Sequence, residues 1–527
     1  MAEEPRGVAQ DPEAVDLSAI LRRHARYRPD HLAVVFEDQR VTFRELDQRV
    51  NRAANALHGL GIRQGDRIAT LLSNRLELLD CYWAAAKIGA VVVPLSPLTR
   101  GKGLSTLLND SGASLLVTES DLAGHLAAAG PDLSLPQERV LVVDARGGTP
   151  AGSVSYADVT SAASEAEPPA VKIRGEDPYN IIYSSGTTGL PKGIVLSHHA
   201  RALYGALFGA AWRMTPESVA LHAGSLIFNG AFLTLMPAYV LGATFVLHGR
   251  FDPAEVIATV EREQVTHMFM VPSQIIALLA SPAFSSEALG SLRMLGSVGA
   301  PFHKEHREEL NRRLPGVFHE LYGVTEGFMT ILDKTHYAAK PMSVGAPPPF
   351  FEIRIVDEQG EEVPDGEVGE IVGRSPLMMS GYYGHPELTR EAVVNGWLRS
   401  GDLGYVDSDG FLYLVDRKKD LLISGGVNVY PRDLEEILVR HPAVREAAVF
   451  GIPSERWGET PLAAVILREP GAVTPEELRA WINERVEARY QQVHAVTIMD
   501  EFPRSAAGKT LKRVMREAYW AGRGTRI

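Results

Sequence analysis

The chain has 527 residues, 45% hydrophobic and 22% charged, an ordinary globular balance in a length too great for a single core. A net charge of −12 without a long basic stripe disfavours a general nucleic-acid binder, although a phosphate ligand needs only local positive charge. One cysteine, Cys81, lies in the apolar run Cys-Tyr-Trp-Ala-Ala-Ala, which excludes a disulfide framework or a zinc cluster and points to a buried thiol in a reducing compartment.

Residues 1–16 are polar and read as a disordered tail without a signal-peptide pattern. No apolar run approaches the ~20 residues of a membrane helix, so a cytoplasmic protein with no membrane span is expected. Thr42 and Glu45 make a capping box, and Leu46, Val50, Ala53, Ala54 and Leu57 recur behind it at helical spacing until Gly59 and Gly61. Residues 66–72 read as a buried strand, 76–88 as a helix and 90–95 as a strand. The alternation continues through strands at 115–118 and 139–143, which predicts a parallel, doubly wound sheet. Residues 147–169, rich in Gly, Ser, Ala, Pro and Glu, read as a surface connection. Further on, strands at 244–247 and 266–271 flank a helix at 253–264, and a strand at 292–299 ends on glycine.

Near Pro341 short strands at 351–357, 369–373 and 411–415 are separated by Gly, Pro and acidic turns, as in a small antiparallel or barrel-like subdomain. About 110 residues after Asp416 form a compact α+β piece. It has a helix after Pro431, strands at 447–452 and 462–467, a helix opened by the Thr474/Glu477 capping box, and a last strand at 494–499. The expected fold class is therefore α/β. A large N-terminal region of doubly wound sheets with a small β-barrel-like subdomain is followed by a small mobile α+β C-terminal domain. The expected boundaries are a tail at 1–16, the large domain at 17–416 and the small one at 417–527. No internal repeat is present.

The stretch Tyr183-Ser-Ser-Gly-Thr-Thr-Gly-Leu-Pro-Lys-Gly193 carries the strongest chemical signal. It lies between two short apolar strands, and its glycines, hydroxyls and lysine suit an anion. Pro191 breaks the Walker A pattern, so it is not a Walker A loop, and its composition also reads as a flexible surface loop. Four other segments accompany it: Leu321-Tyr-Gly-Val-Thr-Glu326 on a tight loop, Ser400-Gly-Asp-Leu-Gly404, the run from Arg417 through Ser424-Gly-Gly426 to Pro431, and the basic loop Pro503-Arg-Ser-Ala-Ala-Gly-Lys-Thr-Leu-Lys-Arg513. Taken singly, Tyr322 has a reading as core, Asp402 as a turn residue and Lys509 as a solvated lysine.

Together, in this order and at these separations, the five resemble the adenylate-forming superfamily of acyl-CoA synthetases, peptide-synthetase adenylation domains and firefly-type luciferases, over residues 42–512. The resemblance implies ATP-dependent activation of a carboxylic acid as acyl-AMP, then transfer to CoA. The implied cofactors are ATP, Mg²⁺ and CoA. It assigns Thr187, Thr188 and Lys192 to the phosphates, Glu326 to Mg²⁺, and Thr325 to the α-phosphate. Tyr322 and Gly323 border the adenine, and Gly299, Ala300 and Pro301 form the adenine and acyl wall. Asp402 takes the ribose hydroxyls with Arg417 as its basic companion. Lys509 bridges the carboxylate and the α-phosphate, and with Thr188 and Glu326 makes the catalytic set. Lys419 takes the hinge position, and Ser424, Gly425 and Gly426 the wall of a pantetheine tunnel.

The resemblance places Ile227, Phe228, Asn229, Phe232 and Ala300 around the acyl group, with Phe228 at the gate. Amino-acid-activating relatives usually carry an aspartate where Asn229 stands. A buried ammonium without a counter-ion is costly, so an apolar acid, aromatic or fatty, is expected. Leu321 replaces a small residue common before the adenine-stacking tyrosine. The leading expectation is a carboxylate–CoA ligase, AMP-forming, acting on small molecules as a monomer or homodimer. The alternatives are an acyl-AMP ligase that loads a carrier protein and a luciferase-like oxygenase.

Overall fold

The computed structural model describes residues 17–127, 134–144, 152–184, 192–418, 420–424, 427–486, 488–504 and 509–521. It divides into two compact units. One comprises Met1–Asp252, Arg262–Phe269 and Pro376–Glu391, the other Pro253–Glu261, Met270–Ser375 and Ala392–Ile527.

In the first unit, the helix Phe43–Gly59 begins at the expected capping box. Glu45 N–H donates to Thr42 Oγ1 at 3.3 Å, and Thr42 N–H donates to Glu45 Oε2 at 2.8 Å. Its buried face carries Leu46, Val50, Ala53, Ala54 and Leu57, the periodic set read from the sequence. It packs on the helix Leu76–Ile88, which is buried on nearly every side. Trp83 of that helix stacks on Tyr239, with ring centroids 3.7 Å apart and planes within 6°. Its buried charges are met: Arg49 forks onto Asp80 at 3.3 and 2.7 Å, and Lys87 reaches Asp47 at 2.7 Å and Asn51 at 2.6 Å.

Strands Val91–Leu95, Arg67–Leu71, Leu115–Glu119 and Val140–Val143 lie side by side in parallel, continued on one edge by Val154–Ser155. On the other edge comes Pro178–Ser184, parallel to its neighbour, then Lys192–Ser197 and Gly381–Tyr382, both antiparallel. The central strands are apolar along their length because helices cover the sheet. A second set runs His267–Met270, Val219–His222, Thr244–Leu247 and Leu32–Phe36 in parallel, edged by Gln39–Thr42.

The connection expected at 147–169 holds more structure than its composition suggests. Its described part contains the strand Val154–Ser155 and the helix Tyr156–Ser161, whose first turn is capped by Ser155 Oγ. Tyr156 is buried, and the carbonyls of Ser164, Glu165 and Ala166 accept from Asn55 and Asn51. Those bonds fix backbone that composition alone reads as solvated.

In the second unit, Met294–Val298 and Phe318–Gly323 pair in parallel, and Met329–Leu332 returns antiparallel. An antiparallel sheet of Glu352–Val356, Gly369–Arg374, Trp397–Val406, Val393–Val394 and Leu412–Arg417 forms the expected small β subdomain. Beyond it, Val427–Val429, Leu422–Ser424, Gly458–Leu467 and Val444–Ser454 make a further sheet, with Ala495–Ile498 parallel to Gly458–Leu467. Leu434, Leu438, Leu478 and Ile482 seal one face of that sheet, and Phe502 and Met515 the other. Among the described residues no helix is long and apolar enough to cross a membrane.

The Trp83–Tyr239 stack is central to the first unit's core. Trp83→Ala is expected to cost about 3–5 kcal/mol, read as a lower urea midpoint. A cost under about 1 kcal/mol would show that the core closes around the gap.

Candidate active site

The strands that flank the expected phosphate loop pair antiparallel, with Tyr183 opposite Gly193 and Ser184 opposite Lys192. Residues 185–191, and with them Thr187 and Thr188, lie outside the described residues. At the base of the hairpin, Tyr183 donates to Asp110 Oδ2 at 2.5 Å. Burial first, and then Asp110, push its phenol pKa well above the usual range, so it stays a donor. Lys192 Nζ stands 5.0 Å over the Tyr382 ring.

In the second unit, Tyr322 is next to last in the strand Phe318–Gly323 and donates to Asp402 Oδ2 at 2.9 Å. Asp402 sits within the strand Trp397–Val406, not in a turn, directly opposite Arg417 on Leu412–Arg417. Arg417 Nε is 3.5 Å from Asp402 Oδ1. Ser400 Oγ accepts the Asp402 N–H at 3.0 Å and donates to the Ile371 carbonyl at 2.6 Å, which anchors the carboxylate's backbone. Burial and then Asp402 raise the Tyr322 pKa far above its ordinary value, so the phenol keeps its proton for the carboxylate. The three residues that the sequence placed at adenine and ribose are thus joined by one hydrogen bond and one ion pair.

Thr325 and Glu326 lie on the turn of the hairpin between Phe318–Gly323 and Met329–Leu332, both half-buried. Val324 N–H donates to Phe328 O at 3.2 Å, and Gly327 N–H to Val324 O at 3.1 Å. A Cβ at Gly323 would stand 2.6 Å from Met329 Cβ and 2.8 Å from Phe328 O, so only glycine lets the strands approach here.

Gly299 follows the strand Met294–Val298 with φ of 92° and opens the Gly299-Ala-Pro301 wall. A Cβ built on it would lie 3.9 Å from Lys509 Cε. The chain end thus brings its lysine to that wall. The segment bearing Lys509 is tied down by Lys512, which is half-buried and 2.6 Å from Glu435 Oε1. Farther along, His303 Nδ1 is 2.9 Å from Glu436 Oε1, and Arg440 Nε is 3.3 Å from Glu305 Oε1.

Lys419, Gly425 and Gly426 lie outside the described residues. Ser424 is buried, pairing with Val427 and Gly458. Beside that stretch, burial pushes the Asp416 carboxyl up to about 6, while Arg417 and Arg432 N–H groups donate to it at 2.7 and 3.1 Å.

Of the residues expected around the acyl group, Ile227, Phe228, Asn229 and Phe232 belong to the first unit and Ala300 to the second. Ile227 and Phe232 are buried, while Phe228 and Asn229 are half-buried at the start of the helix Phe232–Leu241. The sequence reading missed Arg201. It lies fully buried in the helix His198–Trp212, donates from Nη1 to Asn229 Oδ1 at 2.9 Å, and stacks over the Phe232 ring at 3.8 Å. The available signal was a lone arginine inside an apolar helix.

The signature of AMP-binding enzymes matches residues 21–383, and that of the AMP-binding enzyme C-terminal domain matches 433–509. The chain belongs to the AMP-binding enzyme family. The family is the adenylate-forming one, and this member is an AMP-forming acid–CoA ligase, which makes acyl-AMP and passes the acyl group to CoA. It is 37% identical over 501 residues to a feruloyl-CoA synthase of Amycolatopsis sp, covering 94% of this chain and 98% of that one. It superposes on ATP-bound MatB from Rhodopseudomonas palustris with a TM-score of 0.88 at 29% identity, covering 96% and 99% of the two chains. An anthranilate CoA ligase, AuaEII, bound to anthranoyl-AMP, also gives a TM-score of 0.88, at 26% identity over 96% and 98% of the chains.

Gly323 gives the site's first test. Gly323→Ala is expected to destabilise the hairpin by about 1–3 kcal/mol and to lower acyl-AMP formation, because Thr325 and Glu326 shift with it. Wild-type stability and rate in this variant would overturn the close-approach argument.

Proposed function

We propose that this ligase activates an aryl carboxylic acid, with Lys509 as the cation that lets two anions react. The observation that carries the reading is Lys509 Cε beside Gly299, in the unit that also holds the Tyr322–Asp402–Arg417 group. A carboxylate attacking the α-phosphate of ATP must overcome mutual repulsion, and a cation held at the reacting oxygens offsets it. The carboxylate oxygen forms the new bond to the α-phosphorus, and the bond to the β-phosphate oxygen breaks, releasing pyrophosphate. A thiolate sulfur of CoA then bonds to the acyl carbon, and AMP leaves with the pair of the broken C–O bond.

In this reading Asp402 accepts from the ribose hydroxyls, Tyr322 and Gly323 border the adenine, and Thr325 contacts the α-phosphate. Thr187, Thr188 and Lys192 hold the outgoing phosphates. Glu326 is a half-buried carboxylate on a hairpin turn, and among the described residues no group of three or more His, Cys, Asp or Glu side chains could hold a metal. That carboxylate is a hard oxygen donor that would suit a Mg²⁺ accompanying the phosphates, where the ion would supply charge neutralisation. The C-terminal piece at 417–527 moves about Lys419 between the two half-reactions, withdrawing Lys509 and bringing Ser424, Gly425 and Gly426 to the thiol. Two compact cores inside that piece support its moving as a body. For the acid, the aromatic ring of Phe228 beside the polar Asn229 and the likeness to a feruloyl-CoA synthase favour a ring over a fatty chain.

Incubation with ATP, Mg²⁺ and paired aryl and fatty acids, with and without CoA, tests this by mass spectrometry. Aryl-CoA is the expected product. Acyl-AMP that persists in the presence of CoA overturns the acceptor, and turnover of fatty acids alone overturns the ring. Lys509→Ala should lose adenylation yet still convert supplied acyl-AMP and CoA to thioester. Equal loss of both steps would overturn its role.

A further inference from the structure

We propose that Arg201 is a positioning residue that locks the amide of Asn229, so that the acyl pocket selects an aryl acid bearing an oxygen substituent on its ring. The proposal rests on the aryl-acid reading and narrows it.

Arg201 is fully buried, and among the described residues no carboxylate pairs with it. Its surroundings are Tyr82, Tyr179 and Tyr204, with the Phe232 ring 3.8 Å away and the Tyr204 ring 4.9 Å away. Burial lowers its pKa, but a guanidinium keeps its proton at any physiological pH. An uncompensated buried charge is costly. It is held by two amides: Nε donates to Asn180 Oδ1 at 3.1 Å and Nη1 donates to Asn229 Oδ1 at 2.9 Å. Nη2 and Asn180 Nδ2 are buried and find no acceptor among the described residues.

A guanidinium has only donors, so Asn229 must turn its oxygen toward Arg201. That choice fixes where the amide nitrogen points. One of its N–H groups goes to Tyr204 Oη at 3.0 Å, and among the described residues the second has no partner. Arg201 itself has no exposed surface, whereas Asn229 is half-buried. The arginine therefore acts through the amide: it holds the carbonyl end and polarises the N–H that remains. Such a donor, backed by positive charge, favours a phenol, phenolate, methoxy or carboxylate oxygen. It gains nothing from a methyl group and repels an ammonium, in accord with the missing aspartate at position 229.

The test pairs hydroxylated benzoates and cinnamates with their methyl isosteres at the ortho, meta and para positions. Size is nearly constant within each pair, so kcat/KM ratios report polarity alone. The wild-type enzyme should favour at least one hydroxylated acid over its isostere by about 30-fold or more. Asn229→Leu and Arg201→Leu should each bring that ratio to within about threefold, mainly through KM, and the double variant should go no further. Arg201→Lys should not restore it, because an ammonium cannot hold both amides at once. If Arg201→Leu does not fold, Asn229→Leu decides. Turnover without preference, or a preference untouched by these changes, overturns the proposal alone. Failure to turn over any aryl acid overturns the aryl reading and this inference with it.

Discussion

Asp402 is shared between a phenol and a guanidinium, and the proposed nucleotide end of the site depends on that arrangement. Its two oxygens are occupied from opposite sides, by Tyr322 at 2.9 Å and Arg417 at 3.5 Å. Each partner sits on a different strand, so a single carboxylate sets the position of the hairpin Phe318–Leu332 relative to the strands Trp397–Val406 and Leu412–Arg417. A carboxylate held by a hydrogen bond on one oxygen and an ion pair on the other has less rotational freedom. Any hydroxyl it accepts from meets a preset lone pair, and the ordering cost has been met in folding rather than on binding.

Much of the scaffold was legible because local signals agreed with the global fold. The Thr42/Glu45 box and the apolar spacing behind it gave the first large helix almost residue for residue. The hairpin at Leu32–Phe36 and Gln39–Thr42 was not legible. Its turn places Glu37 at φ of 52°, and nothing like Asn-Gly marks it. The glycines around Asp402 suggested a turn, yet they lie in a ten-residue strand, where Gly404 lets the Tyr413 carbonyl and Ile371 come close. Tyr322, Asp402 and Arg417 stood out as candidate site residues only through their joint order along the chain. Arg201 belonged to no such pattern, and its significance appears only with the bonds that burial forces on it.

The molecule handles its two notable cations in opposite ways. Lys509 is exposed, on a loop near the chain end, with a long flexible stem. Arg201 is sealed in the core and braced by two amides and two rings. The proposed roles match: a charge that must be presented and withdrawn needs mobility, and a charge that fixes the orientation of a neighbour needs none. In the proposed scheme the division also separates activation from selection, with the motif-bearing segments assigned the chemistry and a residue outside them the choice of acid.

The position of Lys509 has one more consequence. The loop that carries it is closed at its neck, where Arg504 pairs with Thr510 and Leu511 N–H donates to the Pro503 carbonyl at 2.8 Å. Immediately after the neck, Lys512 is fastened to Glu435. Lys509 lies one residue inside that closure, so its placement follows from the neck as from a ruler with its zero at Lys512. Residues inserted between 504 and 509 leave the ruler intact. A single residue inserted between 509 and 512 lengthens it and carries the lysine away from Gly299.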